Sequence, residues 1–178
     1  MTPAQSPPAE GHRVRFTRLP IDASMDPESR TLLDLWNRKR GARRAPARAE
    51  FDPAELKPLL SKLILMEVRH DPLDFVYRLS GTEIYDIHGM ELTGKSVRDL
   101  TPKPYGEAVW RDMAELVETW QPQYVQLEFI NRQDQSRSYL VLRLPLSSDG
   151  EGVDRMFVLS LFGNDKAKLR EFLAQLRR

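Results

Sequence analysis

KLILMEVR (residues 62–69), HDP (70–72) and LDFVYRLS (73–80) together form the stretch that decides the fold. Both longer runs are rich in branched and aromatic side chains, so each reads as a β-strand. The short break containing Pro72 reads as the turn of a hairpin. Ile64, Met66 and Val68 alternate with Leu63 and Leu65, which makes the first strand apolar on both faces. Upstream, Asp26-Pro27-Glu28-Ser29 supplies an N-cap acceptor, a proline at the first helical position and an early acid, predicting a helix over 27–40. Asp52-Pro53-Ala54-Glu55 repeats the signal as a capping box and opens a short helix before Pro58. Downstream, residues 81–101 read as short helical pieces broken at Gly89 and Gly94. A long helix then runs from Pro104 to Trp120, with Tyr105, Val109, Met113 and Leu116 on one stripe. Strands follow at 122–130, 137–146 and 155–162, and a last helix at 165–177 carries Leu169, Phe172, Leu173 and Leu176.

This order predicts an α+β fold: a five-stranded antiparallel sheet with helices on one face and flanking N- and C-terminal helices. Residues 1–24, with four prolines and no helical period, are expected to be a flexible tail. Residues 25–50 form a flanking helix and basic linker, 51–163 the domain, and 164–178 a C-terminal helix. At 178 residues one core is expected, and 27 basic against 26 acidic residues leave a net charge of +1. That balance gives the whole chain no pull toward nucleic acid or membrane surface, so neither is expected as a partner. The absence of cysteine excludes disulfides, thiol nucleophiles and thiolate metal sites. No apolar run reaches the length of a membrane span, and the start MTPAQSPPAE lacks a basic-then-apolar leader. A cytoplasmic location is the expectation.

The stretch Phe75 to Ile84, followed by Gly89-Met90-Glu91-Leu92-Thr93-Gly94-Lys95-Ser96, resembles the strand, short helix and glycine-bounded turn of the PAS-domain superfamily. Leu33-Asp34-Leu35-Trp36, Asp52 to Leu60 and Arg78 to Thr82 together resemble a family of bacterial proteins made of little more than one PAS domain. The resemblance covers about residues 27–163 and implies a PAS-like sheet and a sensory or protein-interaction module rather than an enzyme. Flavin-adduct relatives need a cysteine, and the usual haem relatives place a histidine on the long helix; this chain has neither. No cofactor is therefore expected, and the alternatives left for the interior are a fully packed core or a pocket for a small-molecule ligand such as a non-covalent flavin or a fatty acid.

The residues assigned to that pocket are Tyr77, Arg78, Tyr85, His88, Trp110 and Met113: apolar walls with a few polar groups. For each there is a plainer reading. The tyrosines and Met113 are core packing, and Arg78 pairs with an acid such as Glu67 or Glu83. No HExxH, GxSxG, P-loop or GxGxxG spacing occurs. The rival reading is a small α+β enzyme with a cone-shaped pocket, using His88 or a nearby acid as acid/base. No metal site is expected.

Arg38 to Arg48 holds six basic and no acidic residues. Arg40, Arg43 and Arg44 are its candidate contacts to an anionic partner, and Arg40 and Arg44 fit an RxxxR pattern used for cyclic dinucleotides. The downstream partner motif of that pattern is missing and no aromatics interleave, so a solvated linker is the plainer reading. Because one sheet face must be covered by something other than the long helix, the two flanking helices are its expected covers, in cis or exchanged between chains. A homodimer anchored by Leu32, Leu35 and Trp36 is the expected assembly. The functional expectation is a cytosolic sensory or regulatory module that contacts an unidentified signalling protein.

Overall fold

Residues 12–177 are described in a computed structural model. Six strands, β1 (Arg13–Arg18), β2 (Leu63–Arg69), β3 (Asp74–Ser80), β4 (Gln123–Ile130), β5 (Ser136–Leu146) and β6 (Arg155–Leu161), form one antiparallel sheet in the order β1-β4-β5-β6-β2-β3. The helices are α1 (Pro27–Arg40), α2 (Pro53–Leu56), α3 (Thr82–His88), α4 (Lys103–Thr119) and α5 (Lys166–Leu176). The hairpin of β2 and β3 forms across residues 70–73, in antiparallel register from Arg69 opposite Asp74. The caps form as their sequences require: Asp26 accepts from the Ser29 N–H at 2.9 Å, and Asp52 and Glu55 close a reciprocal box.

Two features differ from the sequence expectation. The sheet has six strands, because residues 13–18 of the expected tail pair with β4 along its outer edge, from Arg13 opposite Ile130 to Arg18 opposite Val125. The rest of that tail, residues 1–11, lies outside the described residues. The second difference concerns α5. It does not share the far face with α1; it packs on α3 and β5, burying Leu169, Phe172, Leu173 and Leu176 on the side where α4 lies.

One face of the sheet, here the inner face, carries Met66, Tyr77, Leu127, Tyr139 and Val158 beneath α3, α4 and α5. The outer face carries Phe157, Leu159, Leu142 and Leu144, buried beneath α1 and the segment 45–62. Phe51 packs edge-on against Phe157 with ring centroids 5.0 Å apart. Past its pairing with Gln123, β5 runs beyond the end of β4. The Pro145 carbonyl there accepts from the Trp36 indole N–H at 2.8 Å, and the Ser147 N–H donates to the Pro46 carbonyl at 2.9 Å. Side chain and loop thus take over the ladder where a neighbouring strand is missing, and proline, which has no N–H to satisfy, fits that position.

Gly81 marks the other tight junction. A methyl placed on it would meet the carbonyl oxygens of Ser61 and Leu60 at 2.2 and 2.3 Å, both backbone atoms that cannot step aside. Gly81→Ala is accordingly expected to cost about 2–4 kcal/mol of stability, measured by urea unfolding; a loss under about 1 kcal/mol would show that the 60–61 turn is free to shift.

Candidate functional site

The inner face and α4 enclose a small cavity. Its apolar wall is built by Ile64, Met66, Val109, Met113, Leu127 and Val158, and its polar wall by Tyr77, His88, Tyr105, Tyr139, Arg143 and Ser160. The free space is about 30 Å³, room for one or two waters. Tyr105 and Tyr139 point their hydroxyls at each other, 3.3 Å apart. Burial pushes the phenols of Tyr77 and Tyr139 well above the usual range and raises that of Tyr105, so all three stay protonated at neutral pH.

Arg143 is 1% exposed, within the apolar run of β5 from Tyr139 to Leu146. Its Nη1 donates to Asp112 Oδ2 on α4 at 2.8 Å and to Gln123 Oε1 at 3.1 Å. Gln123 Nε2 in turn donates to the Asp112 carbonyl at 2.8 Å, and Arg18 of β1 donates to Asp112 Oδ1 at 3.1 Å. Strands β1 and β5 therefore converge on the Asp112 carboxylate of α4, and β4 holds the backbone carbonyl of the same residue. The Arg143 Nε is buried without a partner among the described residues. The hydroxyls, the imidazole and this N–H make the wall both donor and acceptor, which suits the space to water.

His88 ends α3 at the cavity wall and is buried. Arg177, just past α5, donates to the His88 carbonyl and places its Nη2 3.4 Å from His88 Nδ1. Desolvation, helped by the Arg177 charge, lowers the imidazole to about 4. Glycine at position 89 takes φ 66°, a left-handed turn that closes α3 directly after the histidine.

Of the six residues assigned to the pocket from sequence, the structure brings three together at this cavity: Tyr77, His88 and Met113. Arg78 is not among them; it lies mostly in solvent, 3.4 Å from Glu67, the acid named as its plainer partner. Tyr85 is 52% exposed, because it sits on the side of α3 opposite to Ile84 and Ile87. Trp110 is on α4 but outside the cavity, donating to the Leu73 carbonyl at 3.3 Å with the Arg98 guanidinium over its ring. Arg143, Asp112, Tyr105 and Tyr139 were not assigned; a lone arginine in the run SYLVLRLPL was the available signal, since charge inside an apolar strand needs a partner.

The proposed dimer anchors are occupied within one chain. Leu32, Leu35 and Trp36 are buried against the outer face, so α1 covers that face in cis. Nor is the basic run a free linker: Ala45 is buried, Arg40 and Arg44 lie over the rings of Trp36 and Trp120, and Arg43 pairs with Glu50 at 2.6 Å. No group of three or more metal-ligating side chains occurs among the described residues.

A family model described as a PAS domain matches residues 25–161. The protein belongs to the PAS-domain family. No protein of curated function matches it. This PAS protein is similar in fold to a light-oxygen-voltage domain solved with a flavin analogue, at 13% identity and a TM-score of 0.47, over 68% of this chain and 90% of that one. It is similar to the PAS domain of Bordetella pertussis BvgS at 16% identity and a TM-score of 0.40, over 71% and 97%. An RNA-binding light-oxygen-voltage receptor matches at 12% identity and 0.45, over 94% and 43%. Light sensing and RNA binding belong to those proteins.

Two outcomes test the site's energetics. Asp112→Asn is expected to cost about 3 kcal/mol by leaving Arg143 uncompensated, and the Asp112→Asn/Arg143→Met double variant to lose at least about 1 kcal/mol less than the sum of the single changes. Additive losses in urea unfolding would show that the pair acts independently. For His88, the folded imidazole at about 4 lies below the ~6.5 of the unfolded chain, so only the unfolded chain takes up a proton between those values. Stability is fully present above about pH 6.5 and falls with decreasing pH, by about 2 kcal/mol at pH 5. His88→Asn should remove that part of the acid limb, and an unchanged pH profile would show that His88 is accessible to protons in the fold.

Proposed function

We propose that this protein is a sensory or regulatory PAS module that works by contact with a signalling protein and catalyses no reaction. The family match over residues 25–161 carries the reading. The packing of the interior supports it. Ligand and substrate pockets run to about 300–1,000 Å³, and the inner cavity has about 30 Å³. A space of that size does not hold a flavin. The competing enzyme reading rests on His88, which is buried, is bound by Arg177, has no carboxylate partner among the described residues and is held far below the range of a useful base at neutral pH. No helix among the described residues is long and apolar enough to cross a membrane.

Large apolar side chains left exposed among the described residues are few: Ile21, Leu60, Leu79 and Tyr85. They serve as reporters. A photo-crosslinking amino acid at each position in turn, in cells, is expected to trap one protein partner from at least one of them, lost when a neighbouring exposed residue is changed to Asp. Failure to trap any protein from all four would overturn the contact reading. Native mass spectrometry of the freshly purified protein should give the mass of the chain without a cofactor; a flavin-sized excess would overturn the packed-interior argument.

A further inference from the structure

A second cavity lies outside the sheet, remote from the inner one, where α1, the loop 41–44 and the corner between α4 and β4 meet. It is a half-open groove of about 510 Å³. Residues between 21 and 44 and the distant stretch 120–122 build it, and its charge is one-sided: Arg40, Arg43 and Arg44 line it, and no aspartate or glutamate does. Arg43 is balanced by Glu50 at 2.6 Å. Arg40 and Arg44 make no ion pair among the described residues. Arg40 Nε instead donates to Asn37 Oδ1 at 3.0 Å and its Nη1 to the Arg43 carbonyl at 3.0 Å. Arg44 is held by Trp120, its guanidinium carbon 4.0 Å from the ring centroid, and Arg40 lies over Trp36 at 5.2 Å.

Those contacts decide what the groove can take. The tryptophan faces are covered by guanidinium planes and are not open for a base to stack on. The stacking holds both guanidinium groups in place: Arg44 makes no hydrogen bond through its fork among the described residues and can take an oxyanion in bidentate fashion, while Arg40, its Nε and Nη1 engaged, offers Nη2. Two uncompensated positive charges suit an anion that carries at least two negative charges, as a diphosphate does, where a single carboxylate would neutralise only one of them. Beyond the arginines, Gln121 and Asn37 bring amide groups that both donate and accept, and Ile21, 43% exposed, and Pro122 add an apolar wall. We propose that this groove binds a nucleoside diphosphate, with its phosphates on Arg40 and Arg44 and its sugar and base against the amide and apolar wall. The site is independent of the protein-contact reading above and stands or falls separately.

Two of the three tryptophans of the chain line the groove, so intrinsic fluorescence reports its occupancy. The probes are ADP and GDP, with adenosine, pyrophosphate and polyglutamate alongside, each titrated up to about 2 mM with calorimetry in parallel. The expected result is saturable binding of at least one nucleotide, at least tenfold weaker binding of pyrophosphate, none of adenosine, and a tenfold or greater loss of nucleotide affinity between about 50 and 500 mM NaCl. Arg40→Gln/Arg44→Gln should lower affinity at least tenfold in a protein that still unfolds cooperatively, at a somewhat lower melting temperature because two cation–π contacts are lost. Should that variant not fold, Arg44→Lys, which keeps the charge and loses the fork, should still lower it several-fold. No binding of either nucleotide overturns the proposal, as does pyrophosphate binding equally well, polyglutamate binding more tightly, or nucleotide affinity unchanged in the folded variants.

Discussion

A sheet whose central strands are apolar on both faces cannot be covered from one side. β5 is buried from Tyr139 to Leu146 except for half-buried Leu140, and β6 is buried throughout after Arg155. At about 25 cal/mol for each Å² of apolar surface kept from water, leaving either face of these strands open would outweigh the stability of an ordinary domain. The two-sided cover follows from that constraint. α4, α3 and α5 close the inner face, while α1 and the segment 45–62 close the outer one. It also accounts for the capped, proline-started α1: a helix of 14 residues is marginal by itself, and its amphipathic face is stabilised by the surface it covers.

The inner layer is pinned by charge as well as by area. Arg143 removes a full charge from water at a point where apolar packing would have served, and the Asp112 carboxylate with the Gln123 amide offsets much of that cost. What this arrangement gives in return is position. α4 can satisfy Asp112 in one register only, facing Arg143 from β5 and Arg18 from β1 at once. The extra strand β1 is thereby tied to the helix as well as to β4. The same network explains why the small inner cavity is polar on one side, since the arginine and three protonated phenols share it.

Much of the architecture was legible in the sequence because the signals were local. Asp26-Pro27 and Asp52-Pro53-Ala54-Glu55 are caps whose hydrogen bonds close within three residues, and the hairpin break at 70–72 lies between two runs of β-formers. What escaped was decided at a distance. RVRFTR (13–18) has an apolar residue only at Val14 and Phe16, and it becomes a strand because β4 offers a free edge more than 100 residues later. Arg143 alternates with leucines, a pattern that by itself implies one wet face; α4 makes both faces dry. Arg78 and Tyr85 failed as pocket residues for the opposite reason. Each neighbours buried residues in sequence, but a register shift between Leu65 and Met66 and the turn of a short helix aim them outward.

β5 is where the two layers meet. Arg143 reaches from it to α4 on one side, and two residues on, the Pro145 carbonyl holds Trp36 of α1 on the other. Trp36 also forms part of the basic groove, under the Arg40 guanidinium. A shift of α1 that broke the indole hydrogen bond would leave a buried carbonyl unpaired, at a cost of about 1–3 kcal/mol, and would do so two residues from the charge that fixes α4. The strand that carries the core therefore ties the groove to the inner cavity from one side, as α4 does from the other, with Met113 at the cavity and Trp120 at the groove.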